Sequence, residues 1–229
     1  MTDEDSRDFL RVVATEDEIH LALDRMAAAI RADYADRDLL LVGVLKGAVM
    51  TMADLARRLP PTVPMDWMAV SSYGAGTKSS GVVRILKDLD SDVTGRNVLI
   101  VEDIVDSGRT LAWLVANLRS RGAASVEVAA MFRKPEAAVI KTEVRYVGIE
   151  IANEFVVGFG LDYAERYRGL PFVAALAPHV YGGAPSSPGS SSGSPRRRSA
   201  ASTRQRASRF SRRGTSTRPR SSTATRGSN

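Results

Sequence analysis

The stretch Val98-Leu-Ile-Val-Glu-Asp-Ile-Val-Asp-Ser-Gly-Arg-Thr-Leu111 decides the fold class of this chain. It begins as a continuous apolar strand, reaches the acids Glu102 and Asp103, turns through small residues and enters a helix. In open α/β sheets, ligands bind beyond the carboxyl ends of the strands, where this order places the two acids. The turn at 106–110 adds successive backbone N–H groups, hydroxyls and a helix N-terminus, which suit a phosphate monoester.

Two acids beside a phosphate-binding turn need an explanation, because carboxylates repel phosphate. The conflict disappears if Glu102 and Asp103 accept hydrogen bonds from ribose hydroxyls, as acids do in dinucleotide sites. A sugar phosphate is then the predicted ligand, and an N-capping aspartate with surface acids is the alternative. The body contains neither G-x-x-x-x-G-K-[ST] nor G-x-G-x-x-G, which disfavours a P-loop and a dinucleotide fingerprint.

The rest of the body alternates between strand and helix patterns. The predicted strands lie at 39–45, 65–72, 82–86, 97–101, 126–132 and 144–151. A capping box at Thr15 opens a first helix of about five turns, a second ends before Pro60, and a third ends at Gly122. This alternation predicts an α/β fold with a parallel sheet covered by helices on both faces.

The charge of the chain is divided between a body and a tail. The formal net charge is +6, but residues 182–229 hold eleven arginines and no acid, so residues 1–181 carry −5. The tail is rich in Ser, Arg, Gly, Thr and Pro, with one aromatic residue, which predicts disorder. We therefore predict a folded domain at 1–181 and a disordered tail at 182–229. The tail either binds polyanions nonspecifically through its arginines or is a solvated extension without a binding function.

Composition excludes several classes of protein. No run of 18 apolar residues is present and the start of the chain is acidic, so we expect neither a membrane-spanning helix nor a secretory signal. The chain has no cysteine and two histidines, which excludes a disulfide framework and leaves little for a histidine metal cage. A cytoplasmic location follows as the simplest expectation.

Part of the motif at 98–111 also resembles a signature of a known family. Residues 101–110 resemble the phosphoribosyl-diphosphate (PRPP) signature of type I phosphoribosyltransferases, and residues 42–173 resemble bacterial hypoxanthine-guanine phosphoribosyltransferases throughout. The tail matches nothing in that pattern. The resemblance implies a parallel sheet flanked by helices, a small hood, a flexible lid loop, and a homodimer or homotetramer.

That resemblance also implies an activity. It implies a purine-salvage enzyme that transfers the phosphoribosyl group of PRPP to N9 of hypoxanthine or guanine, with Mg²⁺ as cofactor. The products would be IMP or GMP and pyrophosphate. Two alternatives stay open: a phosphoribosyltransferase that prefers xanthine, and a nucleic-acid-binding regulator built on the same scaffold.

Roles around PRPP follow from the same resemblance. Glu102 and Asp103 would bind the ribose hydroxyls, directly or through Mg²⁺, with Asp162 as a further metal ligand. Asp106 would be the general base near purine N7. The residues implied to enclose the 5′-phosphate are Ser107, Gly108, Arg109 and Thr110. Those implied to bind pyrophosphate are Leu45, Lys46, Gly47 and Arg168, with a cis peptide bond between Leu45 and Lys46.

The purine site and the lid complete the implied roles. Lys134 would donate to the oxygen at purine C6, which favours a 6-oxopurine because an ammonium group has donors and no acceptor. Phe155 would stack on the purine, and Val156 would offer backbone groups to its Watson–Crick edge. The closing lid would begin at Ser72 and Tyr73.

Overall fold

The computed structural model describes residues 5–72 and 83–181, and its elements lie in those two ranges. The strands are β1 (Phe9–Ala14), β2 (Leu39–Leu45), β3 (Met65–Ser72), β4 (Val83–Lys87), β5 (Asn97–Val105), β6 (Ser125–Arg133), β7 (Tyr146–Glu150), β8 (Val156–Val157) and β9 (Val173–Leu176). The helices are α1 (Glu16–Asp33), α2 (Val49–Ala56), α3 (Arg109–Ser120) and α4 (Pro178–Tyr181), with 3₁₀ turns at Asp5–Asp8 and Pro135–Ala137.

The first helix begins at the capping box that the sequence predicts. The Glu18 N–H donates to Thr15 Oγ1 at 3.3 Å, and the Thr15 N–H donates to Glu18 Oε2 at 2.8 Å. Two N–H groups that the helix itself cannot satisfy are thereby paired. Apolar residues at helical spacing, among them Ile19, Leu23 and Ile30, are fully buried on one face of α1.

The main sheet has six strands in the order β4-β3-β2-β5-β6-β7. Strands β3, β2, β5, β6 and β7 run parallel, whereas β4 pairs antiparallel with β3 at the edge. The predicted parallel sheet is confirmed, and the apolar run Leu39–Leu45 is buried along nearly its whole length, as a strand covered on both faces requires.

The two faces of this sheet pack against different helices. Alternate residues of the strands point to opposite faces, so Leu41 and Leu99 join a core with α1 and α2. Leu40, Val98 and Ile100 join a second core on the other face, which Leu111, Leu114 and Leu118 of α3 complete. The strand ends are therefore held rigidly from both sides.

Two element boundaries differ from the sequence prediction by three residues or more. Strand β5 continues to Val105 rather than stopping at 101, because β6 pairs with it as far as Val105↔Arg133. Glu102 and Asp103 thus lie inside a strand, and they point to opposite faces. Helix α2 ends at Ala56, because i→i+3 bonds tighten the chain at Arg58 and Leu59 before Pro60.

A second sheet forms the hood. It has the order β1-β9-β8, with antiparallel pairing, and it places the two-residue strand Val156–Val157 at its edge. The sequence pattern does not indicate these short strands, although the family resemblance implies a hood. In the described ranges, no helix is long and apolar enough to cross a membrane.

Two predictions fall partly or wholly outside the described residues. Ser72 ends β3, whereas Tyr73 and the rest of the expected lid lie outside them. The tail at 182–229 also lies outside, so its predicted disorder and the domain boundary before it stay predictions.

Candidate active site

The two acids of β5 face different surroundings. Glu102 is 9% exposed and lines a cavity of about 130 Å³ together with residues 104–108, 110 and 111. Asp103 lies on the other side of the strand, where its Oδ1 accepts the Ile104 N–H at 2.8 Å. Its Oδ2 lies so close to Gly47 that a Cβ on that glycine would be 1.7 Å away. Only glycine therefore fits beside Asp103.

Burial makes both acids weak. It raises the pKa of Glu102 well above its usual value, and the negative charge of Asp103 raises it further. Burial also raises the pKa of Asp103 to about 6, against the opposing effects of the Ile104 N–H and the positive charge of Arg168. Strongly shifted acids in a cleft are typical of functional sites, because a ligand later supplies the missing partners.

The bend at 106–110, between β5 and α3, is held by its own backbone conformation and by the segment at 139–140. Gly108 has φ +76°, a conformation that favours glycine, and α3 begins immediately after it without a side-chain cap. The Ser107 carbonyl accepts the N–H groups of Val139 and Ile140 at 3.1 and 3.0 Å. A Cβ on Gly108 would lie 2.4 Å from the Ile140 carbonyl oxygen. The bend is thus fixed before any ligand binds.

Strand β6 places a lysine beside the bend. Lys134 is 8% exposed, and its Nζ lies 3.5 Å from Oδ2 of the more exposed Asp106. The Lys134 N–H donates to the Val105 carbonyl at 3.0 Å, so the lysine is fixed to the end of β5. A buried ammonium group with one acidic neighbour retains donors for a ligand.

The loop after β2 lies against the hood. The peptide bond between Leu45 and Lys46 is cis, which confirms that expectation. Gly160 has φ +97°, and a Cβ there would lie 2.0 Å from the Gly47 carbonyl oxygen. Gly47 is therefore enclosed between Asp103 of β5 and Gly160 of the hood.

The turn at 162–168, which follows Gly160, carries acids and cations in close contact. Arg168 donates to the Gly160 carbonyl at 2.7 Å, and its Nη2 lies 2.8 Å from Asp162 Oδ1. Glu165 Oε2 lies 3.0 Å from Lys46 Nζ and 3.5 Å from Arg168 Nη2. The two predicted pyrophosphate-binding cations therefore meet at one carboxylate.

An aromatic cluster lies at the free edge of the hood sheet. Phe155 is 42% exposed, stacks on Tyr181 with 5.1 Å between ring centroids, and meets Tyr163 edge to face at 5.8 Å. The Phe155 carbonyl accepts the Leu176 N–H at 2.9 Å. Because successive residues of a strand alternate, the N–H and C=O of Val156 point away from β9, toward the free edge.

The sequence of residues 14–164 matches the family model of the phosphoribosyl transferase domain. The chain belongs to the phosphoribosyl transferase domain family. In this phosphoribosyl transferase the acids of β5, the glycine bend, the cis peptide loop and the turn at 162–168 meet at the carboxyl ends of the strands, where ligands bind in open α/β sheets.

Relatives and solved structures narrow the assignment within the family. The chain is 51% identical over 180 residues to the hypoxanthine-guanine phosphoribosyltransferase of Mycobacterium tuberculosis, covering 76% of this chain and 89% of the relative. For that of Streptococcus agalactiae the identity is 48% over 174 residues, covering 76% and 97%. A crystal structure of Staphylococcus aureus hypoxanthine phosphoribosyltransferase superposes with a TM-score of 0.76 at 41% identity, covering 79% and 98%. The phosphoribosyl transferase is thus an enzyme of the hypoxanthine-guanine type.

Some contributors to the site have no signal in the sequence. Ile140 and its neighbours hold the bend from a loop that the sequence analysis assigns no role. Glu165 and Tyr181 contact predicted ligand-binding residues of this phosphoribosyl transferase, although nothing in their spacing indicates it. Apart from the family resemblance, the hint in the sequence that this turn binds a ligand is the charged run from Asp162 to Arg168.

Proposed function

We propose that the enzyme transfers the 5-phosphoribosyl group of PRPP to N9 of hypoxanthine or guanine, giving IMP or GMP and pyrophosphate. Phosphoribosyl transfer in purine salvage is the activity class of its family type. The observation that carries the proposal is the position of Glu102, a buried acid on the same cavity as the glycine bend at the start of α3.

The cavity has the two halves that a ribose 5-phosphate needs. Backbone N–H groups at the bend and the positive end of the α3 dipole favour the 5′-phosphate near Ser107, Gly108 and Thr110. Arg109 starts the helix and contributes its backbone N–H. Glu102 accepts the ribose hydroxyls directly, and their hydrogen bonds replace the water that burial removed. Asp103, on the other face of β5 beside Gly47, would act on the ribose through Mg²⁺.

Base recognition falls to Lys134 after β6 and to Phe155 and Val156 at the start of β8. Lys134 donates to the oxygen at purine C6, and the outward N–H and C=O of Val156 meet the adjacent ring edge. The exposed ring of Phe155 stacks on the purine. Asp106, in reach of Lys134, takes the purine proton as N9 attacks C1′ and the bond from C1′ to the leaving oxygen breaks.

The diphosphate is bound by the loop at 45–47 and by Arg168. Within the described residues no three acids or histidines stand close enough together to hold a metal ion. Mg²⁺ keeps several waters and takes substrate oxygens, so one or two of Asp162, Asp103 and Glu102 suffice as protein partners of one ion. Burial raises the pKa of Asp103 most, and the negative charge of Asp162 raises it further, a repulsion that a divalent cation would relieve. When bound, Mg²⁺ would neutralise charge that develops on the leaving diphosphate.

A direct assay tests this function. The protein is incubated with PRPP and MgCl₂ and with hypoxanthine, guanine, xanthine or adenine in separate reactions, and nucleotides are separated by chromatography. We expect IMP and GMP in stoichiometric amounts with pyrophosphate, little AMP, and loss of turnover with EDTA. Product from xanthine alone would replace the substrate assignment, and no product from any base would reject the function.

The assembly and the compartment belong to the same proposal. A homodimer or homotetramer is what the family resemblance implies, and a cytoplasmic location accords with a chain that has no cysteine. Sedimentation velocity at micromolar concentration measures the assembly, and a monomer would contradict it. Fractionation of the source cells measures the compartment.

A further inference from the structure

Glu165 contacts both cations that the proposed function assigns to the diphosphate. Its Oε2 accepts from Lys46 Nζ at 3.0 Å and lies 3.5 Å from Arg168 Nη2. Lys46 comes from the loop after β2 and Arg168 from the hood, 122 residues later in the chain. One carboxylate oxygen thus bridges the two elements between which the diphosphate would bind.

The other contacts of Arg168 do not depend on Glu165. Its Nη1 donates to the Gly160 carbonyl at 2.7 Å and its Nη2 pairs with Asp162 at 2.8 Å. The guanidinium therefore stays in place when Glu165 leaves. Lys46 has no comparable second anchor among the contacts of the described residues, and 66% of its side chain is exposed.

The backbone presents Glu165 in an unusual way. Ala164 and Glu165 have φ +50° and +63°, and Tyr163 and Arg166 exchange backbone hydrogen bonds at 3.2 and 3.0 Å. This is a tight turn of the kind that favours Asn-Gly at its two central positions. The Glu165 N–H also donates to Asp162 Oδ2 at 2.8 Å. A side chain held out by a costly turn conformation points to a role in function.

The ion pairs of Glu165 are weak enough to be exchanged. Its side chain is 63% exposed, and exposed ion pairs contribute little to stability because water and salt screen them. Two cations lie within 3.5 Å of Glu165 Oε2, an arrangement that favours the carboxylate anion. A diphosphate carries more charge than one carboxylate and can displace it.

We propose that Glu165 is an internal anion that pairs Lys46 with Arg168 in the absence of diphosphate, and that PRPP must displace it to bind. The inference rests on the proposed function, because it takes the diphosphate as the ligand of these two cations. Glu165 is then a positioning residue that sets diphosphate affinity without touching the purine.

Substitution of Glu165 by glutamine tests the competition. Glu165→Gln keeps the shape and removes the charge, so we expect KM for PRPP and Kd for pyrophosphate to fall about three- to tenfold. KM for hypoxanthine should change less than twofold. Isothermal titration calorimetry with pyrophosphate and MgCl₂ measures the Kd without turnover. Unchanged or weaker pyrophosphate binding would overturn the proposal.

Two further variants separate direct contact from bulk charge. Glu143→Gln removes an exposed glutamate of the loop before β7, and we expect no change in pyrophosphate affinity. Glu165→Asp keeps the charge with a shorter side chain, and it should resemble the glutamine variant if contact matters. If Glu165→Asp behaves as wild type, long-range repulsion explains the effect and the proposed pairing is wrong.

The wild-type protein separates this inference from the proposed function. If the wild type makes nucleotide and binds pyrophosphate while Glu165→Gln matches it in every constant, only the inference fails. If the wild type neither makes nucleotide nor binds pyrophosphate with MgCl₂, the proposed function fails as well.

Discussion

The two sides of the candidate site, the acids of β5 and the turn at 162–168, differ in whether their charged groups already have partners. On β5, burial raises the pKa values of Glu102 and Asp103. In the turn at 162–168, exposed and half-buried acids already pair with cations, and the hydrogen bond from Lys46 lowers the pKa of Glu165. Among the described residues, the acids of the β5 side lack ion-pair partners in the absence of a ligand, whereas the carboxylates of the turn already pair with Arg168 and Lys46.

Because of this difference, we expect substitutions on the two sides to affect ligand affinity and protein stability differently. A ligand that completes the β5 side relieves an existing cost, so those residues should govern binding and should lower the stability of the free protein. A ligand at the turn must replace existing ion pairs, so its residues should change constants by small factors. The following substitutions test that division.

The largest effect should come from Asp106, at the bend after β5. Asp106→Asn removes the proposed base and keeps the size of the side chain, so kcat should fall about 10²- to 10⁴-fold. KM for PRPP should stay within about twofold, because the bend is fixed by other contacts. Steady-state kinetics with hypoxanthine measures both, and an unchanged kcat would reject Asp106 as the base.

Lys134 should show the next largest effect. Lys134→Ala removes a buried donor to the purine, and a lost charge-assisted hydrogen bond corresponds to about a 10- to 100-fold increase in KM for the base. KM for PRPP should rise much less. Lys141→Ala, at an exposed lysine of the following loop, is the matched control and should leave both constants unchanged. Equal effects on both substrates would contradict the assignment.

Asp103 should reveal the stability cost of the β5 side. Its pKa is about 6 in the folded protein and about 4 when unfolded, so the folded protein retains the proton longer as pH rises. The free energy of unfolding should therefore fall by about 2 kcal/mol between pH 4 and pH 7 on account of this group. Asp103→Asn should remove that loss and be the more stable protein at pH 7.5.

Urea denaturation at pH 4, 5, 6 and 7.5 measures the difference between Asp103→Asn and wild type. The two proteins should differ least at pH 4, close to the pKa of Asp103 in the unfolded chain. Asp36→Asn, at an exposed aspartate before β2, should stay within about 0.5 kcal/mol of wild type at every pH. A pH-independent difference for Asp103→Asn would exclude the buried charge as its cause.

The smallest effect should come from the turn itself. Ala164 has a left-handed backbone conformation, which glycine adopts without strain. Glycine also gives the unfolded chain more conformational freedom, which opposes this gain. We therefore expect Ala164→Gly to raise the free energy of unfolding by about 0.5 kcal/mol in total. Ala116→Gly in α3 is the control of opposite sign, because glycine in a helix costs about 1 kcal/mol. Destabilisation by Ala164→Gly would mean that the turn is not strained.

The main sheet can be predicted from the sequence because its strands are long apolar runs. The motif at 98–111 likewise predicts the strand, bend and helix that form the proposed phosphate cavity. The end of β5 was misplaced because Glu102 and Asp103 look like residues that follow a strand, and pairing with β6 is not visible in sequence. The hood strands were too short to leave a pattern. The contact of Glu165 with Lys46 joins distant parts of the chain, so local sequence does not encode it.

The alternation of Glu102 and Asp103 across β5 has a consequence for how this protein can change over generations. Insertion or deletion of a single residue between Val98 and Glu102 would send each acid to the face that the other one occupies. The cavity would then no longer hold Glu102, and Gly47 would no longer have the carboxylate of Asp103 beside it. Descendants of this gene can gain or lose residues in loops such as 88–96, but the spacing within β5 must be inherited intact.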